Sequence, residues 1–253
     1  SVGLEGTWNP SKHPWRNMCY VDYGFTRNAI GMGQTYDRAT GIRTYRPENV
    51  NGNWDASAKH TLRYSFGEGK KHSMDITSNF NYRNSVDLMA ETGAAQATRS
   101  IVRNAALSVA PKLSLTLGKH ALNLASDVSW NRYAGTRATI QHISAWQYRI
   151  GADGTVHLPW KFDLTTDLTL YGRTGYADAQ LNTADLVWNA RLARPFCKGK
   201  LLVMVDGFDI LGQLSNVTRT VNAQGRTETY TNVMPRYALL HVMYRFTKHP
   251  KKK

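Results

Sequence analysis

The chain has 253 residues with a mean hydropathy of −0.46, and 42% of its residues are hydrophobic. No apolar run approaches the roughly 20 residues that a membrane-spanning helix requires, which excludes a membrane protein built of helices. The formal net charge of +14 is compatible with two kinds of partner, nucleic acid and the phosphate-rich headgroups of lipids. The basic residues are dispersed apart from three lysines at the C-terminal end, and dispersed charge argues against a nucleic-acid groove.

The beginning of the sequence and its cysteines carry few signals. The sequence opens at Ser1 without an apolar targeting segment, so we expect such a segment to have been removed and the chain to be a piece of a longer protein. Residues 1–16 contain several glycines and prolines and are predicted to form a loop. Cys19 and Cys197 lie far apart and match no metal or redox spacing, so no cofactor is predicted.

Alternation of apolar and polar residues recurs along the chain and predicts about ten strands, because a period of two places the two kinds of side chain on opposite faces. In chain order, the predicted strands cover residues 18–28, 54–66, 74–83, 99–117, 122–131, 148–158, 162–171, 186–192, 201–211 and 235–246. Pro111 interrupts the fourth of these strands and predicts either a bulge there or different strand boundaries. The alternation is clearest in residues 162–171, where Leu164, Leu168 and Leu170 oppose aspartate and threonine.

The predicted connections alternate between short and long. Short turns are predicted at 67–70, 118–120, 158–161 and 195–200, and long loops at 37–53, 85–97, 132–139, 172–185 and 212–232. Short turns on one side and long loops on the other are typical of transmembrane barrels, and many of the strands reach the roughly 9–11 residues that cross the apolar layer. The sequence therefore predicts an all-β fold, an antiparallel up-and-down transmembrane β-barrel of about ten strands. An even number of strands places both termini on the short-turn side.

Aromatic residues fall at the ends of several predicted strands. Trp54 and Phe66 bound one strand, whose middle carries small residues, and Tyr244 and Phe246 close the last strand. Aromatic ends that flank an apolar band are the pattern of a membrane-interface girdle. This pattern favours lipid, and not a protein core, as the partner of the apolar face.

Short turn and strand motifs carry a resemblance to a known family. They are RPENVNGNW at 46–54, YRIG at 148–151, LPWK at 158–161, YGRTGY at 171–176, LN at 181–182, VWNA at 187–190, FDIL at 208–211 and YRF at 244–246. Together they resemble the barrel of TonB-dependent receptor-type outer-membrane proteins, in the form abundant in Bacteroidetes. The resemblance implies that residues 1–253 are the C-terminal part of a larger barrel in the cell outer membrane, without the plug domain.

The resemblance also implies a function, namely TonB-dependent uptake of a nutrient that the sequence does not identify. The partners it implies are outer-membrane lipid and lipopolysaccharide, a plug and further barrel strands from N-terminal sequence, and TonB through that region. Neither nucleic acid binding nor catalysis is expected. Two alternatives remain open: a structural or adhesion barrel without transport, and a soluble basic β protein that binds nucleic acid.

Polar residues on the predicted lumen face are the candidates for contact with a transported substrate. They are Asn123, Asp127, Arg149, Asp163, Asp167 and Arg191. The other interpretation is that these residues only line a water-filled interior, since the architecture itself demands a polar lumen. No group of Ser, His and Asp residues points to a hydrolase site.

Overall fold

The computed structural model describes residues 1–10, 13–37, 39–89, 97–136, 142–213, 217–222, 225–230, 234 and 236–246. The strands found within these ranges are β1 Val2–Trp8, β2 Trp15–Thr26, β3 Ala29–Tyr36, β4 Arg43–Val50, β5 Asn53–Phe66, β6 His72–Met89, β7 Thr98–Leu117, β8 His120–Gly135, β9 Ile143–His157, β10 Asp163–Thr174, β11 Thr183–Phe196, β12 Leu201–Phe208, β13 Val217–Asn222, β14 Gly225–Tyr230 and β15 Tyr237–Tyr244. Short 3₁₀ helices cover Glu68–Lys70, Pro159–Lys161, Ala179–Leu181 and Cys197–Gly199.

Eleven strands form one antiparallel sheet in the order β1-β2-β5-β6-β7-β8-β9-β10-β11-β12-β15. Two hairpins, β3–β4 and β13–β14, leave this order and make their own two-stranded sheets. Apart from these two hairpins, each strand pairs with the strand that follows it in the chain. This order confirms the all-β, antiparallel, up-and-down prediction. Within the described residues β1 and β15 do not pair with each other, so the sheet is open and consistent with part of a barrel wall.

The alternation of short and long connections is confirmed at the four predicted short turns. The β5–β6, β9–β10 and β11–β12 connections each contain a 3₁₀ helix, and β7 and β8 are joined by a tight turn at Gly118. Gly118 has a φ of +63°, a left-handed conformation that glycine adopts without steric cost. We call this end of the sheet the short-turn end and the opposite end the long-loop end.

The long connections contain more strand than predicted. β6 continues to Met89 and β8 to Gly135, inside segments predicted as loops, while β4 and the β13–β14 hairpin lie within two others. β3 covers residues 29–36, to which no strand was assigned. Residues 90–96, 137–139, 214–216, 223–224 and 231–232 of these loops lie outside the described residues. The β3–β4 hairpin was missed because the glycines of β3 and the proline and charged residues of β4 leave no clear alternating signal.

The prediction of a loop over residues 1–16 is wrong for its first half. β1 pairs with β2 over its whole length, from Val2 opposite Tyr23 to Trp8 opposite Asn17. Val2, Leu4 and Trp8 do alternate with polar residues, but two glycines dilute the pattern. The predicted strand 18–28 therefore has its neighbour within this chain. The count of eleven also corrects the placement of the termini, since β1 begins at the long-loop end while β15 finishes opposite Leu201 at the short-turn end.

The bulge predicted at Pro111 is absent from the described strands. β7 keeps one register with β8 on both sides of the proline, from Val109 opposite Val128 to Lys112 opposite Ala125. The two residue pairs between these are missing from the ladder, because proline has no N–H to donate. The register with β6 is unbroken, with Pro111 opposite Ile76, so the strand absorbs the proline without an inserted residue.

Buried side chains are few and concentrate toward the long-loop end. The buried apolar residues are Val50, Val86, Ile143, Ala145, Leu181 and Val187. Many large hydrophobic side chains elsewhere on the sheet are exposed, and others are half-buried. Among the described residues, no helix has the length and apolarity needed to cross a membrane.

Candidate functional site

The strand register gathers the apolar positions of the sheet on one face, which we call the apolar face. One row of directly opposed residues crosses eight strands, from β2 to β11. Its members are Trp15, Tyr64, Met74, Leu113, Leu124, Ala152, Leu168 and Trp188. The alternation seen in single strands is therefore maintained in three dimensions, because a slip of one residue in any pair would have moved polar residues into this row.

The apolar face is exposed across the sheet. Leu168 is 42% exposed, Ile150 is 49% exposed and Leu240, on the edge strand β15, is 69% exposed. A cavity of about 480 Å³ opens on this face, where Ala152 lies among larger residues such as Met74 and Leu168. Contiguous exposed apolar surface on this scale marks a surface that contacts lipid or another protein.

Aromatic side chains border the apolar face at both ends. Toward the long-loop end, the rings of Trp54 and Tyr82 stack with their centroids 4.9 Å apart, and Trp130 lies 6.5 Å from Trp146. Toward the short-turn end, Tyr64 and Phe66 stack at 5.7 Å. Within β5, the interval between Trp54 and Tyr64 fits the roughly 9–11 residues that cross the apolar layer of a membrane.

Polar groups on the apolar face bond to one another. The His60 Nε2 atom lies 2.8 Å from Asn17 Oδ1 on the neighbouring strand. Trp188 donates its Nε1–H to the Thr166 hydroxyl at 2.8 Å, and that hydroxyl donates to the carbonyl of Asn189 at 2.9 Å. Such pairing satisfies polar groups where no water can reach them, which makes these residues compatible with an apolar surrounding.

The opposite face, which we call the polar face, carries all six residues predicted to contact substrate. Asn123 and Asp167 lie in one row that crosses four strands through Asp153 and Asn189. Asn123 Nδ2 donates to Asp153 Oδ2 at 2.8 Å, and Asn189 Nδ2 donates to Asp167 Oδ2 at 2.8 Å. Asp153 and Asp167 stand directly opposite each other, so this row concentrates negative charge.

The other predicted residues are spread along the polar face. Asp127 lies directly opposite Arg149 in the register of β8 and β9. Asp163 lies at the short-turn end, where its Oδ1 atom is 2.6 Å from His157 Nδ1. The six residues share a face but do not form one compact site, because they occupy different levels of the strands.

Arg191 belongs to a cluster that sequence reasoning did not assemble. Its guanidinium donates from Nε to Asp206 Oδ1 and from Nη2 to Asp206 Oδ2, the latter at 3.3 Å. His241 Nε2 lies 2.9 Å from Asp206 Oδ2. Asp206 is only 2% exposed, and a cavity of about 150 Å³ opens beside it, lined also by Asp167. The two partners of Asp206 come from the strands on either side, so only the register reveals the cluster.

The segment between β10 and β11 folds over the polar face at the long-loop end. Gln147 Nε2 donates to the Tyr176 hydroxyl at 3.0 Å, and Leu181 is 4% exposed. Gly175 has a φ of +92°, and a Cβ there would lie 2.4 Å from the Ser144 carbonyl oxygen, so glycine is required for this close approach. This segment was predicted as a plain polar loop, but it is ordered and directed over the polar face.

The tip of the β3–β4 hairpin carries an ordered carboxylate. The Thr40 hydroxyl donates to Asp37 Oδ2 at 2.7 Å, and the Ala39 N–H donates to Asp37 Oδ1 at 2.9 Å. These two hydrogen bonds, the Thr40 bond first, lower the pKa of Asp37 below its ordinary value, because they favour the charged carboxylate. The turn is therefore held by an ionised side chain at neutral pH.

Comparison with known proteins adds no identification. No protein-family model, no curated protein and no solved structure matches this chain. The resemblance to TonB-dependent receptors stays a prediction, and the functional argument rests on the two faces of the sheet.

Proposed function

We propose that this chain forms part of the wall of an outer-membrane β-barrel of the receptor and transporter type, with the apolar face toward lipid. The observation that carries the proposal is the row of eight apolar or aromatic residues that crosses eight strands on an exposed face. Aromatic rings border that face at both ends, as they do where barrel strands meet the two membrane interfaces. Lipid chains supply the apolar surrounding that this face requires.

The backbone supports a membrane location for the middle of the sheet. Every strand from β2 to β12 in the eleven-stranded sheet has a hydrogen-bonded neighbour on both sides. A membrane interior accepts strands only in this condition, because an unpaired N–H or C=O group there costs several kcal/mol, on the order of 2–7 kcal/mol. The edges of β1 and β15 then require partner strands, which in this proposal come from further sequence of the same protein.

The proposed cargo is a polar nutrient that passes along the polar face. Two adjacent carboxylates, Asp153 and Asp167, lie between two amides in one row of this face, and Arg191 stands beside a small cavity. The β10–β11 segment covers part of this face at the long-loop end, where it can admit or retain a solute. Energy coupling through TonB and a plug are the parts of the proposal that rest on the motif resemblance, and both belong to sequence beyond this chain.

Lipid vesicles test the membrane location directly. We expect the chain, folded into phosphatidylcholine vesicles, to resist extraction by alkaline carbonate. Lipids brominated along the acyl chains should quench its tryptophan fluorescence, because Trp130 and Trp188 lie on the apolar face. Release of the chain by carbonate, together with unquenched tryptophan fluorescence, would contradict the proposal.

A barrel without transport is the second candidate function. The cross-strand bonds of the polar face, such as Asn123 to Asp153 and Asn189 to Asp167, stiffen a wall whether or not a solute passes. The two functions differ in the full-length protein, since a transporter requires a plug in its N-terminal sequence and takes up a nutrient in a TonB-dependent manner. A full-length protein without a plug would favour the structural role over transport.

A further inference from the structure

Two arginines lie on the apolar face just beyond its aromatic border at the long-loop end. Arg132 follows Trp130 by two positions in β8, so both side chains are on the same face. In β6, Asn84 follows Tyr82 by two positions on that face, and Arg103 of β7 stands directly opposite Asn84. Both arginines are exposed. They therefore occupy the first polar level outside the ring of aromatic side chains.

The two arginines occupy neighbouring positions on this face. The residue opposite Arg132 in β7 is Ala105, and Arg103 is the next residue of β7 on the same face. Diagonal positions of this kind lie about 7–8 Å apart, within the reach of two long side chains. The other neighbours of Arg132 and Arg103 are small, namely Ser144 and Ala134, so nothing bulky separates the pair.

Where the structure describes the chain, this pair of arginines has no acidic neighbour on its own face. Within the described residues, neither arginine has an ion pair or a hydrogen-bond partner. The surrounding positions of the same face in β6, β7, β8 and β9 carry no acidic residue: Tyr82, Asn84, Val86, Ile101, Ala105, Trp130, Ala134, Ser144 and Trp146. On the polar face at the same level, Arg83 stands opposite Asp55. At this level, therefore, arginine lacks an acidic neighbour on the apolar face but has one on the polar face.

We propose that Arg103 and Arg132 form a binding site for the phosphate of an anionic lipid headgroup in the leaflet on the long-loop side. Tryptophan and tyrosine rings locate at the level of the headgroups, so side chains one step beyond Trp130 and Tyr82 reach the phosphate layer. Guanidinium groups bind phosphate oxygens through paired N–H donors. The occupant is a lipid and not a free anion, because the pair borders the apolar face and its aromatic rings would pack on the lipid.

This inference rests on the proposed membrane location and deepens it by naming a lipid class. The probe is brominated phosphatidylglycerol compared with brominated phosphatidylcholine in vesicles that contain the folded chain. Trp130 lies beside the site, so the ratio of the two quenching constants reports the preference for the anionic headgroup. Loss of each arginine should lower that ratio about fivefold, the usual contribution of one basic residue at an anionic membrane surface.

The decisive variant is R103Q/R132Q, and its matched control is Arg83→Gln. The control removes an arginine at the same level but on the polar face, so we expect it to leave the ratio unchanged. An unchanged ratio in R103Q/R132Q, or an equal drop in the control, would overturn the inference.

Two further measurements test the inference even if R103Q/R132Q does not fold. R103K/R132K keeps both charges but loses the paired N–H donors, and we expect an intermediate ratio. For the unsubstituted chain, added salt should lower the ratio by screening, and a ratio insensitive to salt would also overturn the inference. Absence of quenching by either lipid would instead count against the membrane location itself.

Discussion

The two faces of this sheet share every backbone hydrogen bond but differ in how their side chains are satisfied. On the polar face, side chains bond across strands, as Asn123 does to Asp153 and Arg191 does to Asp206. On the apolar face, residues such as Leu168 and Ile150 have neighbours within the sheet yet stay about half exposed. Many side chains of the polar face are therefore satisfied by neighbours within the sheet, although Ser100 Oγ and Asn104 Oδ1 are buried without a hydrogen-bond partner among the described residues. The apolar face, in contrast, requires an outside partner.

This difference shows which interactions hold the sheet and which direct it to a location. Backbone pairing and the polar network join the strands irrespective of the solvent. The apolar face gains free energy only when it leaves water, at roughly 25 cal/mol for each Å² removed. Substitutions on the two faces should therefore differ in size and in their dependence on lipid, and the following predictions are ordered by that size.

The largest difference is expected between Leu168→Arg and Thr169→Arg. Leu168 lies near the middle of β10 on the apolar face, between Ala152 and Trp188. An arginine there should destabilise the folded chain in lipid by roughly 2–4 kcal/mol, the usual cost near the bilayer midplane. The change at the adjacent Thr169 should be mild, because that side chain points to the polar face. Urea titration in lipid vesicles measures both, and equal losses would contradict the assignment of the faces.

The next prediction concerns the buried carboxylate of the polar face. Arg191→Met leaves Asp206, which is 2% exposed, with the imidazole of His241 at 2.9 Å but without the guanidinium. We expect a loss of roughly 1.5–3 kcal/mol, the usual contribution of a hydrogen bond to a charged group together with the cost of leaving it unpaired.

Arg149→Met is the matched control on the same face. Arg149 is exposed and stands opposite Asp127, so its removal should cost about 0–1 kcal/mol. Urea titration of both variants gives the comparison. If Arg191→Met were as mild as the control, the cluster around Asp206 would hold no special importance for the wall.

A smaller effect is expected at the aromatic border of the apolar face. Tyr82→Leu removes the stacking of Tyr82 on Trp54, whose centroids are 4.9 Å apart. The loss should be about 0.5–1.5 kcal/mol beyond the change in buried area. Phe80→Leu is the control, since Phe80 lies on the same face and strand and makes no ring pair with the described residues. Similar losses in the two variants would show that the stack adds nothing.

Much of this architecture could be predicted from alternation, and the failures have one physical cause. Strands with one apolar and one polar face, such as 162–171, must alternate, and their positions were predicted well. The hairpin β3–β4 and the extension of β6 to Met89 lie beyond the apolar face, where no such requirement acts on the sequence. The alternation in β1 was obscured because glycine occupies positions in both sets.

The sequence predicted the face of the sheet on which each candidate residue lies, but not the residues that each one contacts on neighbouring strands. Alternation places Asp167 and Arg191 on the polar face, which the register bears out. It cannot show that Asp153 stands opposite Asp167, or that Asp206 lies between Arg191 and His241. Those contacts depend on how each strand is shifted against the next, and that shift is set by turns and packing along the whole sheet.

The smallest and most specific prediction is a gain in stability from Asp153→Asn. Asp153 and Asp167 are directly opposite across β9 and β10, and like charges in that arrangement are destabilising by about 0.2–1 kcal/mol. An asparagine keeps the oxygen that accepts the hydrogen bond from Asn123 while it removes the charge. Asp55→Asn should have the opposite sign, because Asp55 faces Arg83. Both changes should shrink as salt is added, since salt screens exposed charges. A loss of stability in Asp153→Asn would mean that the acidic row is occupied by a positive charge in the folded wall.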